Sequence, residues 1–593
     1  MNKKVGKILT AAAAGAAVGV AVKKLQDSRK EKEDERIAAI EEAVMNNRDY
    51  GDRKAYLVGG GLATLAAAAY LIRDCKFPAN QITVYEGMHI LGGSNDGIGT
   101  PEQGFVCRGG RMLNEETYEN FWELFGSIPS LRQPGHSVTE EILEFDHAHP
   151  TCAKARLVDK DGNILDVKSM GFNQADRMAL LKLLMTDEKK LDNLTIQDWF
   201  KETPHIFETN FWYMWQTTFA FQKYSSLFEF RRYMNRMIFE FSRIETLEGV
   251  TRTPLNQYDS VIRPLETYLR KAGVNFRENC EVTDIDFTDG PGITAKTLYL
   301  KKKVESADDS GEEADAPAKT SYVTEEVQLN KSDICIMTNA CMTDSATLGS
   351  LYKPAPAPEK KPISGELWAK VAGKKPGLGN PEPFFTKPEE TNWLSFTVTC
   401  KGDDILKTIE NFTGNVPGSG ALVTFKDSSW LMSIVVAAQP HFKAQDANTT
   451  IFWGYGLYTD ALGDYVKKPM RECSGEEILM ELIHHLHFEE NTKDIMESVV
   501  NVIPCMMPYI DSQFQPRAMS DRPLVIPSGS TNFAMISQFV EIPEDMVFTE
   551  EYSVRAARMA VYGLLGIEKK LCPVTPYHKN PKVLAVAAKT MLR

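Results

Sequence analysis

Gly59 and Gly61 lie between a short apolar run, AYLV at 55–58, and the Ala-rich stretch that begins at Leu62, and Glu86 closes the next apolar run, ITVYE. Residue types in this order could bind a dinucleotide. Glycines let the backbone turn tightly and approach a pyrophosphate, which rests on the positive N-terminus of the following helix; an acid after the second strand accepts a hydrogen bond from a ribose hydroxyl. The third glycine of the G-x-G-x-x-G pattern is Thr64 here. That weakens the bare motif and leaves an ordinary βαβ unit with a glycine-rich turn as the plain alternative. The continuation narrows the ligand to a flavin. Gly93 and Ser94 follow in GGSNDG, then Arg108 and Arg111 in RGGRM. In two-domain flavoproteins such segments wrap the phosphates and the ring edge, the guanidinium acting as a planar, permanent charge. Ala63 at the helix start, Met112 after the arginines, Val282 in a later β run and Ser537 where the chain returns complete the predicted contacts to FAD.

The elements that must position these residues follow from patterning. AYLV, a glycine turn, LATLAAAAYLIRD and ITVYE read as strand, helix and strand. NEETYENFWELFGSIPS reads as a helix capped by Asn114, with Glu115 and Glu116 in its first turn and Tyr118, Phe121, Trp122 and Phe125 on one face. Residues 174–245 read as largely helical and unusually aromatic, from Phe211 and Trp212 through Phe219 to Tyr233. Most of these side chains suit a helical core, and part of the surface suits the wall of an apolar tunnel. A chain of 593 residues exceeds a single core. The expected class is α/β: a Rossmann-like FAD-binding domain built from discontinuous segments, a mixed α/β substrate domain and helical elements at the C-terminus. The expected division is an N-terminal extension at 1–52, FAD-binding segments at 53–130, 254–345 and 513–570, a mainly helical substrate-binding region at 131–253, a substrate domain at 346–512 and a basic tail at 571–593.

Net charge of −13 argues against a nucleic-acid groove or a polyanionic substrate. Ten scattered cysteines form no C-x-x-C pair and no Cys/His cluster at zinc spacing, which supports neither a disulfide scaffold nor a metal site and fits a reducing cytoplasm. His484, His485 and His487 read as a helix surface rather than metal ligands. The start, MNKKVGKILTAAAAGAAVGVAV, is basic and then weakly apolar from Ile8 to Val22, and this apolar part is shorter than the roughly 20 residues a membrane span needs. It reads as a surface-associated helix or extension, with a secretion signal, an anchor or a plain solvated helix as alternatives. The acidic run 304–320 reads as a solvated loop. The tail HKNPKVLAVAAKTMLR is basic and amphipathic; either it rests on an anionic membrane, at the inner face, or it is simply solvated.

The runs GGGLATLAAAAYLIRD, GGSNDG, RGGRM, ETNFWYMWQTTFAF, FRRYMNR, NQYDS, MTNACMTD, QPHF, FWGYGL and STNFAMISQFVEIPEDMVFTEEYSVRAA, in unbroken order from about Arg53, closely resemble the oleate hydratase family, also catalogued as myosin-cross-reactive antigens. The resemblance implies an FAD-binding hydro-lyase that adds water to a cis double bond of a long-chain unsaturated fatty acid, oleate or linoleate, and it suggests a homodimer. It also implies that Tyr233, in RRYMNR, is the proton donor and that Gln257, in NQY, helps hold the fatty-acid carboxylate. The water-activating glutamate of the family's RGGRE motif is Met112 here, and a thioether cannot take a proton. A branch of the family shares GGRM. Glu115 and Glu116, within one helical turn, are the candidate replacement bases. The family's T-x-N-x-x-x-H strand keeps His441 but has Val435 and Ala437 in place of the polar pair, so head-group binding should be weakened or re-aimed. Two other readings compete: a flavin oxidoreductase or isomerase of an apolar chain, and a lipid-binding, membrane-associated protein that lost catalysis with its glutamate.

Overall fold

A computed structural model describes Arg36 and residues 43–109, 112–304, 321–357 and 362–593. The basic and apolar start, Arg111, residues 305–320 of the acidic run and residues 358–361 lie outside the described residues. Five short strands, β1 (Ala55–Val58), β2 (Ile82–Tyr85), β3 (Asn275–Arg277), β4 (Ile334–Thr338) and β5 (Phe533–Ile536), form one sheet in the order β5-β4-β1-β2-β3, and every pairing is parallel. A parallel sheet is covered on both faces, so its strands must be near-continuous apolar runs. β1 and β5 are buried at all four positions. The order proceeds one way from β1 to β2 and β3 and the other way to β4 and β5, the doubly wound arrangement, with its switch point between β1 and β4.

Helices α1 (Leu62–Arg73), α2 (Glu119–Phe125), α3 (Gln174–Met185), α4 (Asn210–Phe219), α5 (Leu227–Arg236), α6 (Glu550–Leu565) and α7 (Pro581–Met591) surround these strands and their neighbours. Ala66 to Ala69 of α1 are fully buried, and side chains this small let α6 lie close against it. Thr64, where a third glycine is usual, meets the Thr338 hydroxyl of β4 at 2.8 Å and so ties α1 to the sheet. α2 begins later than the sequence suggests. Asn114 does cap, but it caps a turn, its Oδ1 accepting the N–H groups of Glu116 and Thr117. The N–H groups of Asn120 and Phe121 are taken instead by Glu551, which reaches across from α6 at 2.8 Å.

A second, seven-stranded sheet is mostly antiparallel, with Trp393–Lys401 and Thr449–Gly456 at its centre. Successive side chains on a strand point to opposite faces. Ile451, Trp453 and Tyr455 therefore join the core beneath the first sheet, while Leu394, Phe396 and Val398 face a separate core under the helix Gly475–His485.

Candidate functional site

A cavity of about 300 Å³ opens at the C-terminal ends of β1 and β4, where open α/β sheets bind their ligands. Gly59 has φ of +101°, and a Cβ there would meet Thr338 Oγ1 at 2.9 Å. A Cβ on Gly60 would meet Glu86 Oε2 at 2.7 Å, and one on Gly93 would meet Gly61 Cα at 3.3 Å. Backbone therefore lines this end of the cavity. Glu86 is fixed at its mouth, Oε2 accepting the Gly60 N–H at 2.7 Å and Oε1 the Met88 N–H at 2.8 Å; burial pushes its pKa up. Arg108 forks onto Asp96 at 2.5 and 2.9 Å, and its buried Nη1 has no hydrogen-bond partner among the described residues. Buried donors in folded proteins are almost always satisfied, so an orphaned guanidinium N–H beside glycine turns fits a ligand with anionic or carbonyl oxygens. Ala63, Ser94, Met112, Val282 and Ser537 line the same cavity.

The cavity continues to the aromatic helices. Phe211, Trp212 and Trp215 of α4 are core residues: Phe211 stacks on Phe241, and the two tryptophans meet Phe230 and Phe241 at tilted or edge-on angles. Phe219, at the end of α4, and Tyr233 of α5 are on the cavity wall. Tyr233 is held between Phe219, Phe221 and Phe514, and its hydroxyl donates to the Val547 carbonyl at 2.6 Å. Burial raises its pKa well above a phenol's usual value, so it stays protonated.

A smaller alcove of about 40 Å³ adjoins the main cavity through the shared residues Ser94, Arg108, Val435 and Trp453. Gln257 and His441 line it, as do Val435, Ala437 and Arg252. Among the described residues the buried Gln257 amide has a partner for neither its nitrogen nor its oxygen, and the buried Arg252 has none for Nε and Nη2. Among the described residues no carboxylate forms an ion pair with Arg252; burial brings its pKa down to about 10. The His441 imidazole is kept neutral, its pKa pushed down to about 4 by burial and by the Arg252 charge. Unsatisfied donors converging on so small a space suit a carboxylate. The sequence gives no sign of Arg252 beyond its position five residues before Gln257.

The model of the MCRA family matches residues 52–562. The chain belongs to the MCRA family. A linoleate hydratase of Lactiplantibacillus plantarum is 40% identical over 578 residues, covering 91% of this chain and 98% of that protein. An oleate hydratase of Streptococcus pyogenes serotype M49 (strain NZ131) is 38% identical over 528 residues, covering 87% and 86%. A solved oxidoreductase from Methanosarcina mazei overlaps loosely, at TM-score 0.42 and 12% identity over 86% of this chain and 100% of its own; the fold assignment rests on the sheet order.

In this MCRA-family chain the structure sets Glu115 and Glu116 outside the cavity that holds Met112. Both lie in the turn ahead of α2, for the capping reason given above. Glu115 is exposed and 3.2 Å from His147, and Glu116 pairs with Arg243 at 2.7 Å. A carboxylate that does line the cavity is Glu240, bonded to Asn114 two residues after Met112, and nothing in the local sequence marks it. His485 also departs from its surface reading. It is buried, 3.5 Å from both Asp464 and Glu481, because Glu481 folds the 464–466 loop onto its helix by accepting three backbone N–H groups.

Proposed function

We propose that this chain is a fatty-acid hydratase that adds water to a cis double bond of a long-chain unsaturated fatty acid, oleate or linoleate, to give a hydroxy fatty acid, with FAD in the glycine cradle. The observation that carries this reading is that the glycine cradle and Tyr233 line one cavity and the arginine alcove adjoins it across shared wall residues. Family membership supports it, as does 40% identity to a linoleate hydratase across nearly its whole length. The carboxylate would sit against Arg252, Gln257 and His441, with the chain along Trp453, Phe219 and Tyr233. Tyr233, kept neutral by burial, would deliver its proton to one alkene carbon while water adds to the other. Hydration changes no net oxidation state, so bound FAD would supply shape and electrostatics to the cavity.

Oleate or linoleate incubated with the FAD-loaded protein in water enriched in heavy oxygen should give a labelled hydroxy acid without oxygen consumption, as read by mass spectrometry. A desaturated or isomerised product would support the oxidoreductase reading, and bound but unchanged lipid the binding-protein reading.

A membrane surface is the partner that best suits one face. α3 exposes Met178, Leu181 and Met185 at helical spacing, α7 exposes Leu584 and Val586, and Leu592 follows. The two segments are joined where Arg177 donates to the Met591 carbonyl at 2.6 Å. Lys182, Lys189, Lys582 and Lys589 are exposed around them. Apolar side chains ringed by lysines favour an anionic bilayer. No helix among the described residues is long and apolar enough to cross one. The protein should co-sediment with anionic vesicles at low salt, and Met185→Glu with Leu592→Glu should abolish this; sedimentation unaffected by both changes argues against the surface.

A further inference from the structure

Water adding to an alkene must lose a proton, and Met112 cannot accept it. The carboxylates around the cavity divide by location. Glu86 accepts the Gly60 and Met88 N–H groups at the cradle, and Asp344 accepts the N–H and hydroxyl of Ser364. Glu281 lies beside Gly87 at that same end, and Glu550 accepts Asn95, which follows the cradle residues Gly93 and Ser94. Glu240 alone of the five follows from the tyrosine's own helix. The Met237 N–H donates to the Tyr233 carbonyl and the Glu240 N–H to the Met237 carbonyl. These successive turns stack the three side chains on one face, and all three line the cavity. One α-turn and one 3₁₀-turn separate tyrosine from glutamate by about 12 Å of axis.

We propose that Glu240 is the proton acceptor for the attacking water, opposite Tyr233 as donor, an assignment that rests on the hydratase reading above. Its Oε1 accepts Asn114 Nδ2 at 3.0 Å and Arg243 Nη2 at 2.7 Å, and its Oε2 accepts Arg243 Nε at 3.1 Å. A carboxylate has about four acceptor sites, so one remains for a water. Gly249 backs the group so closely that a Cβ there would overlap both Glu240 and Arg243. Burial pushes the Glu240 pKa up, Arg243 and Asn114 pull it down, and the Glu116 charge, on the far side of Arg243, pushes it up again. A carboxylate raised in this way is a stronger base than a free one.

In the step, the Tyr233 O–H bond breaks and its proton forms a C–H bond with the alkene π pair. The water oxygen bonds to the neighbouring carbon, and the water's proton passes to Glu240. That proton then returns through cavity water to the Tyr233 phenolate. Alkene and water become alcohol, with no change of oxidation state.

The test uses the full-length, FAD-loaded protein. Glu240→Gln should lower kcat by about 100-fold or more with unchanged flavin absorbance, since Arg243 keeps Glu116 as its partner. In the pH–rate profile, activity rises as the base ionises. Glu116→Gln removes a charge that raises the Glu240 pKa, so this limb should move to lower pH, which a purely structural role would not produce. Glu240→Gln retaining more than about a tenth of wild-type kcat overturns the assignment, because positioned base catalysis contributes far more. Should Glu240→Gln fail to fold, the Glu116→Gln profile decides: a shifted limb supports the assignment and an unmoved limb overturns it. Wild-type protein that makes no labelled hydroxy acid defeats the hydratase reading itself, whereas equal product from wild type and Glu240→Gln defeats only the role of Glu240.

Discussion

Tyr233→Phe should lower turnover on oleate or linoleate by roughly 100- to 10,000-fold, the range a positioned acid contributes. The ring is clamped by three aromatic neighbours, so phenylalanine fills the same volume and the wall keeps its shape. What disappears is the Tyr233 O–H, which burial keeps protonated on the cavity wall. The change leaves the Val547 carbonyl without its donor, an unmet buried acceptor that costs about 1–3 kcal/mol. Flavin absorbance should therefore match wild type, and the melting temperature should fall by only a few degrees. Steady-state kinetics beside a thermal melt checks both. Activity within a factor of about three of wild type would remove Tyr233 from the acid role, since a positioned acid contributes far more.

Arg252→Met should separate affinity from stability. Its unbonded Nε and Nη2 are, beside Nη1 of Arg108, cationic donors of the alcove, and hydrogen bonds to a charged group are worth about 1.5–3 kcal/mol. Losing them should lower kcat/KM by roughly 10- to 150-fold, mainly through KM. Stability should move the other way. Burial holds the arginine pKa below its unfolded value; below that pKa the folded state carries the charge at a penalty, which methionine removes. A melting temperature equal to or above wild type, with weakened oleate binding by calorimetry, is the expected pair. Unchanged KM would show that Gln257 and His441 hold the head group without it. In a chain that has Val435 and Ala437 where the family resemblance leads one to expect polar groups, the arginine is the strongest donor left.

The parts of this molecule that were legible in the sequence are those whose cause is local. β1, the turn at Gly59, α1, β2 and Glu86 follow from a few dozen consecutive residues, and the resemblance supplied the rest of the order. Placement failed where the cause lies far along the chain. Glu115 and Glu116 read as the first turn of a helix, but Glu551, more than 400 positions away in sequence, caps a later start. His485 read as surface because what buries it, the 464–466 loop with Asp464, reaches it only once that loop folds onto Glu481. Arg252 and Glu240 carry no local mark, because a buried charge is defined by what fails to reach it or by what clasps it. Periodicity records which face is apolar and says nothing of such exceptions.

β1 sits at the centre of the parallel sheet, yet of its two neighbours β2 follows at once and β4 comes only after residue 333, with β5 later still at 533. During synthesis, then, the strand that carries the glycine turn leaves the ribosome with one edge unpaired. At about 5–20 residues per second, β5 follows β2 by on the order of a minute. For that interval the nascent chain presents an apolar parallel edge, slow to pair because its partners are distant in sequence and prone to pair with the wrong chain. A chaperone holding the emerging polypeptide would act in this window, and a product truncated before residue 533 could not complete the cradle, however well its first hundred residues were made.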